Sequence, residues 1–334
     1  MILAAALIFA QSATPPAQAA QGVLERIIHR PAKNFTFVQV PSSDGLDEFT
    51  VEAKGGKVTV QGSSAVAMCR GAYEYLKEAC HCQVSWSGDN VAVPSPLPDY
   101  APHHVSCPNR YRHYFNVCTF GYTTVWWDWK RWQHEIDWMA LHGINMPLAM
   151  NGQEKVWQQV FRGLGESDEA IQNHFTGPAF LPWHRMGNVD HHMGPLPQSW
   201  IDGQAELQKK ILGRERELGM TPIVPGFSGF VPVDFDKTHP GVKLFSPSAW
   251  AGFEPTKFVD PRSSMFVEIG KRFVSAYRKE FGSDHLYLCD TFNEQDPQFP
   301  AKTELSDLAA TGRSIYESIH SADPDGVWVM QGWL

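Results

Sequence analysis

The 334-residue chain is long enough for two domains, or for one large domain with an appendage. Apolar residues make up 43% and charged residues 19%, which excludes a disordered chain. Lys and Arg number 28 against 36 Asp and Glu, a net charge of −8. That balance lacks the basic surplus that phosphate-backbone binding needs, so nucleic acid is not an expected partner.

An apolar run over 2–10, followed by a Pro/Ser/Ala stretch ending Ala17-Gln18-Ala19, has the form of a secretory signal over 1–20. The segment before the run lacks Lys or Arg. The expected location is outside the cytosol: periplasmic, secreted or lysosome-like. No stretch reaches about 18 uninterrupted apolar residues, so no membrane span is expected. The six cysteines, Cys69, Cys80, Cys82, Cys107, Cys118 and Cys289, match no zinc pattern. In an exported chain they are compatible with one or two disulfides, and equally with scattered core thiols.

Residues 21–105 read as a small α/β domain. Strands are expected over 35–40 and 49–53, and Gly55-Gly56 turns the chain into a third over 57–61. Ser63 or Ser64 can cap the helix that follows over 65–76. Pro94, Pro96, Pro98 and Pro102 then read as a linker.

From residue 106 the pattern alternates. Strands are expected over 111–117, 144–150, 221–227, 285–290 and 327–333, with helices over 128–141, 199–218, 263–281 and 306–320. Strand–helix alternation implies a parallel sheet with helical crossovers. A complete (β/α)8 barrel takes about 250 residues. The expected fold class is therefore α/β: the small domain, then an incomplete (β/α)8 TIM-type barrel over 106–334, cut after about its fifth strand. Of twelve tryptophans, five fall within 126–138, and Trp129, Trp132, Ile136 and Met139 share one helical face, which reads as core rather than ligand platform.

Active sites in such sheets gather where strands end. The residues there are Asn116 and Cys118, Asn151 to Glu154, Gly226 to Gly229, Asn293 and Glu294, and Gln331 and Trp333. Amides, indoles and a carboxylate suit sugar hydroxyls and apolar sugar faces better than phosphate. Glu154, in Asn151-Gly152-Gln153-Glu154, reads as the end of a capping box. Glu294 has no helix to cap, and an Asn-Glu pair at a barrel strand end suits glycoside hydrolysis, with the acid protonating the leaving oxygen. Burial among aromatics is expected to hold that proton near neutrality. Asp190, His191, His192 and His184 lie close together, but adjacent histidines diverge in most backbones, so no metal site is expected; no cofactor is expected either. Gly226-Phe227-Ser228-Gly229 is not a nucleophile elbow, and no phosphate-cradling Gly-Lys-Ser/Thr motif occurs.

Several longer strings carry a resemblance. They include Val125-Trp126-Trp127-Asp128-Trp129, Glu135-Ile136-Asp137-Trp138-Met139, Gly152-Gln153-Glu154, Phe175-Thr176-Gly177-Pro178, Arg185-Met186-Gly187-Asn188, Asp290-Thr291-Phe292-Asn293-Glu294 and Gln331-Gly332-Trp333-Leu334. In these the chain resembles the α-N-acetylglucosaminidases of glycoside hydrolase family 89 over 107–334. The resemblance implies a retaining exo-glycosidase that removes terminal non-reducing α-linked N-acetylglucosamine without a metal. It assigns Glu294 as general acid/base and places Asn116, Cys118, Trp183, Met186, Trp250, Asn293 and Trp333 at the sugar. The family's nucleophile, a second Glu, is expected beyond residue 334, which would leave this chain inactive alone. A rival reading is a non-catalytic glycan-binding protein. A hexosaminidase-type mechanism, in which the substrate's acetamide attacks, would want Asp-Glu where this chain has Asn293-Glu294.

Overall fold

A computed structural model describes residues 14–42, 44–296 and 304–332. The chain divides into two compact units. One holds the residues up to Arg112 with His134–Asn145 and Arg214–Met220; the other holds His113–Gln133, Met146–Gly213 and the chain from Thr221.

The first unit opens with α1 (Pro16–Ile28), a helix that sequence reading did not anticipate. It buries Ala19, Ala20, Val23, Leu24 and Ile27, so the Ala17-Gln18-Ala19 stretch is packed helix here. Strands β1 (Phe35–Gln39), β2 (Glu48–Lys54) and β3 (Lys57–Gly62) follow the expected hairpin pattern. Their buried positions alternate, as period-two side chains must on a half-covered sheet. Helix α2 (Ala65–Glu78) is capped by Ser64, whose Oγ accepts from the Ala67 amide at 3.0 Å. A short hairpin, β4 (Gln83–Ser85) with β5 (Gly88–Asn90), precedes β6 (Tyr100–Ser106).

The proline-punctuated segment is thus only partly a linker. β6 pairs antiparallel with β2 at the edge of a sheet ordered β1-β3-β2-β6. Between the Val51–His103 and Ala53–Tyr100 pairs the register shifts, and Pro102 lies in that bulge. An edge position at a bulge is where a residue without an N–H can sit in a sheet. In the same unit, Arg26 makes a bidentate ion pair with the buried Asp137, at 2.6 and 2.7 Å.

The second unit carries the parallel strands: β7 (His113–Tyr114), β8 (Met146–Pro147), β9 (Val224–Pro225), β13 (Leu286–Leu288) and β14 (Val327–Val329). β7 pairs with β8, the Leu148–Ile223 bridge joins β8 to β9, and β9, β13 and β14 follow, every pairing parallel. Five strands therefore stand side by side in chain order, as expected. Between them in the chain run α3 (Thr119–Tyr122), α4 (Trp129–Leu141), α5 (Gln153–Gly163), α6 (Asp168–His174), α7 (Leu181–Arg185) and α8 (Gln198–Glu217), of which α4 from His134 and α8 from Arg214 are counted in the first unit. After β9 come β10 (Phe230–Val231), α9 (Phe235–Thr238), β11 (Leu244–Phe245) and β12 (Lys257–Val259), which form a small antiparallel sheet ordered β10-β12-β11. Helices α10 (Ser264–Phe281) and α11 (Leu305–His320) complete the crossovers.

The core of this unit lies between strands and helices. It includes Val156, Phe161, Phe227, Phe266, Phe273, Tyr277 and Tyr287, with the Trp157 ring stacked 4.1 Å from Phe273. Burying one such side chain is worth about 1.5–3 kcal/mol, so this cluster dominates the unit's stability. The tryptophan-rich helix contributes core as expected: Trp132, Ile136 and Met139 are buried. All six cysteines are free thiols, which decides the open question on disulfides. Among the described residues, no helix is long and apolar enough to cross a membrane.

Candidate active site

The strand ends bring Glu294 and its predicted partners together. Glu294 stands beyond β13, and Trp250, from the loop after β11, donates its indole N–H to Glu294 Oε2 at 2.9 Å. Two contacts hold these loops against each other: Gln295 Nε2 donates to the Ser248 carbonyl, and the Asp296 amide donates to Ser248 Oγ, both at 3.1 Å. The Trp183 ring lies 6.3 Å from that of Trp250, the two planes inclined by 29°. Cys118 joins from the first strand end, where burial and then the negative charge of Glu294 push its thiol above the usual range.

The other predicted residues have more local roles. Asn116 is exposed, and its Oδ1 accepts from the Thr119 amide and hydroxyl at 3.1 and 3.0 Å, which pins the start of α3. Asn293 is buried; its carbonyl accepts from Asn188 Nδ2 at 2.8 Å, and its Oδ1 accepts from Gln331 Nε2 at 3.4 Å. Met186 is buried at the C-terminus of α7. Trp333 lies outside the described residues.

Backbone strain marks the same places. Phe115, Phe292 and Glu294 have φ of 74°, 66° and 53°, a left-handed conformation rare for bulky residues. Such strain persists only where surrounding contacts hold it, and it clusters at functional sites. Here the Phe292 ring is held between Phe245 and Phe258, at 5.9 and 6.1 Å. Close packing at the strand ends also dictates residue size. A Cβ on Gly226 would lie 2.2 Å from Cys289 Sγ, and one on Gly187, at φ 77°, would lie 2.3 Å from the Phe258 ring.

Two expectations need correction. Glu294 is exposed rather than buried among aromatics. The carboxyl that burial does affect is Asp290, four residues earlier, pushed up to about 6. Sequence reading did not single it out, although it opens the Asp290-Thr291-Phe292-Asn293-Glu294 string. Glu154 is not part of a capping box: Gly152 holds the N-cap of α5 and Asn151 Nδ2 donates instead to Gln204. Glu154 is buried and takes a bidentate ion pair from Arg185, at 2.8 and 3.1 Å. Finally, His191 does diverge from its neighbours, with 63% of its side chain exposed, but His184 and Asp190 come together with His174, which was not considered. Burial pushes the His184 imidazole well below its ordinary range.

Parallel strands alternating with helices, with a carboxylate hydrogen-bonded to an indole at the strand ends, define the class as a (β/α)-barrel-type protein. Comparison with known proteins narrows this class. The family model for the alpha-N-acetylglucosaminidase (NAGLU) tim-barrel domain matches residues 112–334, and that for the N-terminal domain matches 18–99. The chain therefore belongs to the alpha-N-acetylglucosaminidase family. It is 44% identical to human alpha-N-acetylglucosaminidase over 296 residues, covering 87% of this chain and 39% of that protein. A family 89 glycoside hydrolase from Clostridium perfringens, solved with 2-acetamido-1,2-dideoxynojirmycin, superposes with a TM-score of 0.89 at 28% identity, over 95% of this chain and 37% of that one. The N-acetyl-beta-hexosaminidase of Streptomyces plicatus, at 10% identity and a TM-score of 0.54 over 95% of this chain and 59% of that one, shares the fold alone. The chain thus spans about two fifths of the family relatives it matches.

Proposed function

We propose that this chain carries the acid/base half of a retaining exo-glycosidase that removes terminal, non-reducing α-linked N-acetylglucosamine from glycans. The observation that carries the reading is the Trp250–Glu294 hydrogen bond of 2.9 Å, on a chain of this family. In support, a variant of the Clostridium perfringens enzyme with two Glu→Gln substitutions was solved with its substrate, GlcNAc-alpha-1,4-galactose. A pair of carboxylates is what glycoside hydrolysis requires, in retaining and inverting enzymes alike.

In the proposed mechanism, protonated Glu294 gives its proton to the glycosidic oxygen as the C–O bond breaks. A second carboxylate attacks the anomeric carbon and forms a glycosyl-enzyme ester. Glu294, now a carboxylate, takes a proton from the water that cleaves that ester. Trp183 and Trp250 offer apolar faces to the sugar, and Asn116, Cys118, Met186 and Asn293 line the subsite, to which the family resemblance also assigns Trp333. The second carboxylate belongs to the part of the relatives that this chain does not span. Export through a signal in the apolar N-terminal segment completes the reading, and sequencing the mature N-terminus checks it.

The test is hydrolysis of chromogenic α- and β-N-acetylglucosaminides. The chain extended to the length of its relatives should release product from the α-anomer only, and Glu294→Gln should cut the rate by about 10²–10⁴-fold. The 334-residue chain should release none. Turnover by that shorter chain, lost in Glu294→Gln, would show that it already holds both carboxylates. Saturable sugar binding without turnover in the extended chain would replace the enzyme with a glycan-binding protein.

A further inference from the structure

The cluster of His174, His184 and Asp190 is not used by the proposed chemistry. His174 ends α6, His184 lies on α7, and Asp190 follows in the next loop. All three side chains are nearly out of solvent: His174 and Asp190 are 3% and 7% exposed, and His184 4% as a residue. One nitrogen or oxygen from each lies within 4.8 Å of the other two, and His174 Nδ1 is 3.1 Å from Asp190 Oδ1. The Phe230 ring lies 4.5 Å from the His174 ring and 5.0 Å from that of His184. Phe161 and Phe175 flank the pair.

Two polar atoms of this cluster, His184 Nδ1 and Asp190 Oδ2, are buried with no hydrogen-bond partner. A buried polar atom left unpaired is destabilising, and a bound ion or water is among the few physical explanations for one. The donor set selects the ion. Two imidazoles and one carboxylate suit a first-row divalent transition metal, whereas calcium and magnesium want oxygen ligands. Ligands at about 2.1 Å in a tetrahedron stand about 3.4 Å apart, close to the His174–Asp190 separation. A cavity of about 390 Å³ opens onto His174, Asp190 and His191, giving an entry path and room for a water as fourth ligand.

We propose that His174, His184 and Asp190 bind a divalent transition-metal ion, with zinc as the fitting occupant. The ion ties α6 to α7 and to the loop after it, and so braces the helix that also presents Trp183. Its role is structural and independent of the glycosidase reading.

Chelator-stripped chain is titrated with Zn²⁺ by calorimetry and with Co²⁺ by visible absorption. One ion should bind per chain. Co²⁺ should give tetrahedral ligand-field bands without thiolate charge transfer. His184→Gln and Asp190→Asn should each weaken binding beyond the roughly 10–100-fold typical of losing an outer-shell partner. His285→Gln, in the separate His285/Asp323/Asp325 cluster, should leave binding unchanged. Absence of binding, binding that survives both site variants, or a loss in His285→Gln would overturn the proposal. If the site variants fail to fold, the Co²⁺ spectrum of the unaltered chain decides, since thiolate or six-coordinate aqua-type bands would also overturn it.

Discussion

Asp290 and Glu294 lie on one strand end, four residues apart, and differ in their access to water. Burial lifts the Asp290 carboxyl to about 6 from an ordinary 3.8, which disfavours its charged form. A raised acid contributes most stability below the unfolded-chain value, and that contribution is lost as pH rises through the folded one. The shift corresponds to about 3 kcal/mol at neutral pH. Asp290→Asn should therefore stabilise the chain at pH 7 by up to that amount and change little at pH 4; urea midpoints at the two pH values check it. Trp250→Phe keeps an apolar face but removes the N–H that Glu294 accepts. In the extended chain it should lower kcat/KM about tenfold, a charge-assisted hydrogen bond being worth about 1.5–3 kcal/mol. Glu294 was legible as a site candidate because its neighbours in sequence give it no helix to cap, and the structure sets it against Trp250. Asp290 was not, because nothing local says which of two nearby carboxylates the fold will cover.

At the scale of elements, Gly226→Ala places a methyl against Cys289 Sγ between β9 and β13. The overpacking should cost about 1–3 kcal/mol. Adding Cys289→Ala should recover part of that loss, which a double-mutant cycle on denaturant midpoints reads directly. Arg185→Ala strips α7 of its pairing with α5 and leaves Glu154 buried and uncompensated. Its expected cost is about 3–5 kcal/mol, more than that of a surface ion pair. The five strand positions were readable from apolar runs, yet β8 and β9 each hold only two ladder residues, ending on Pro147 and Pro225. Proline cannot donate to a ladder, so the pairing is shorter than the apolar run. Similarly, Pro102 sits within β6, because edge position and a bulge, both properties of the sheet, tolerate it.

At the scale of the whole molecule, β7 and β14 each have a parallel neighbour on one side only among the described residues. Unpaired strand edges template association. In a (β/α)8 barrel such edges are removed by closure of the sheet.

Taken by itself, the sequence determined the alternation of strands and helices, the chain order of the five parallel strands and the family. Those follow from local periodicity, turn chemistry and motif strings, which need no knowledge of distant contacts. Tertiary structure alone decided that α1 packs, that the cysteines stay unbridged, that Glu154 pairs with Arg185, and that His174 joins His184 and Asp190. Each depends on burial or on a partner from another element, and neither is encoded in the spacing of residues along one stretch of chain.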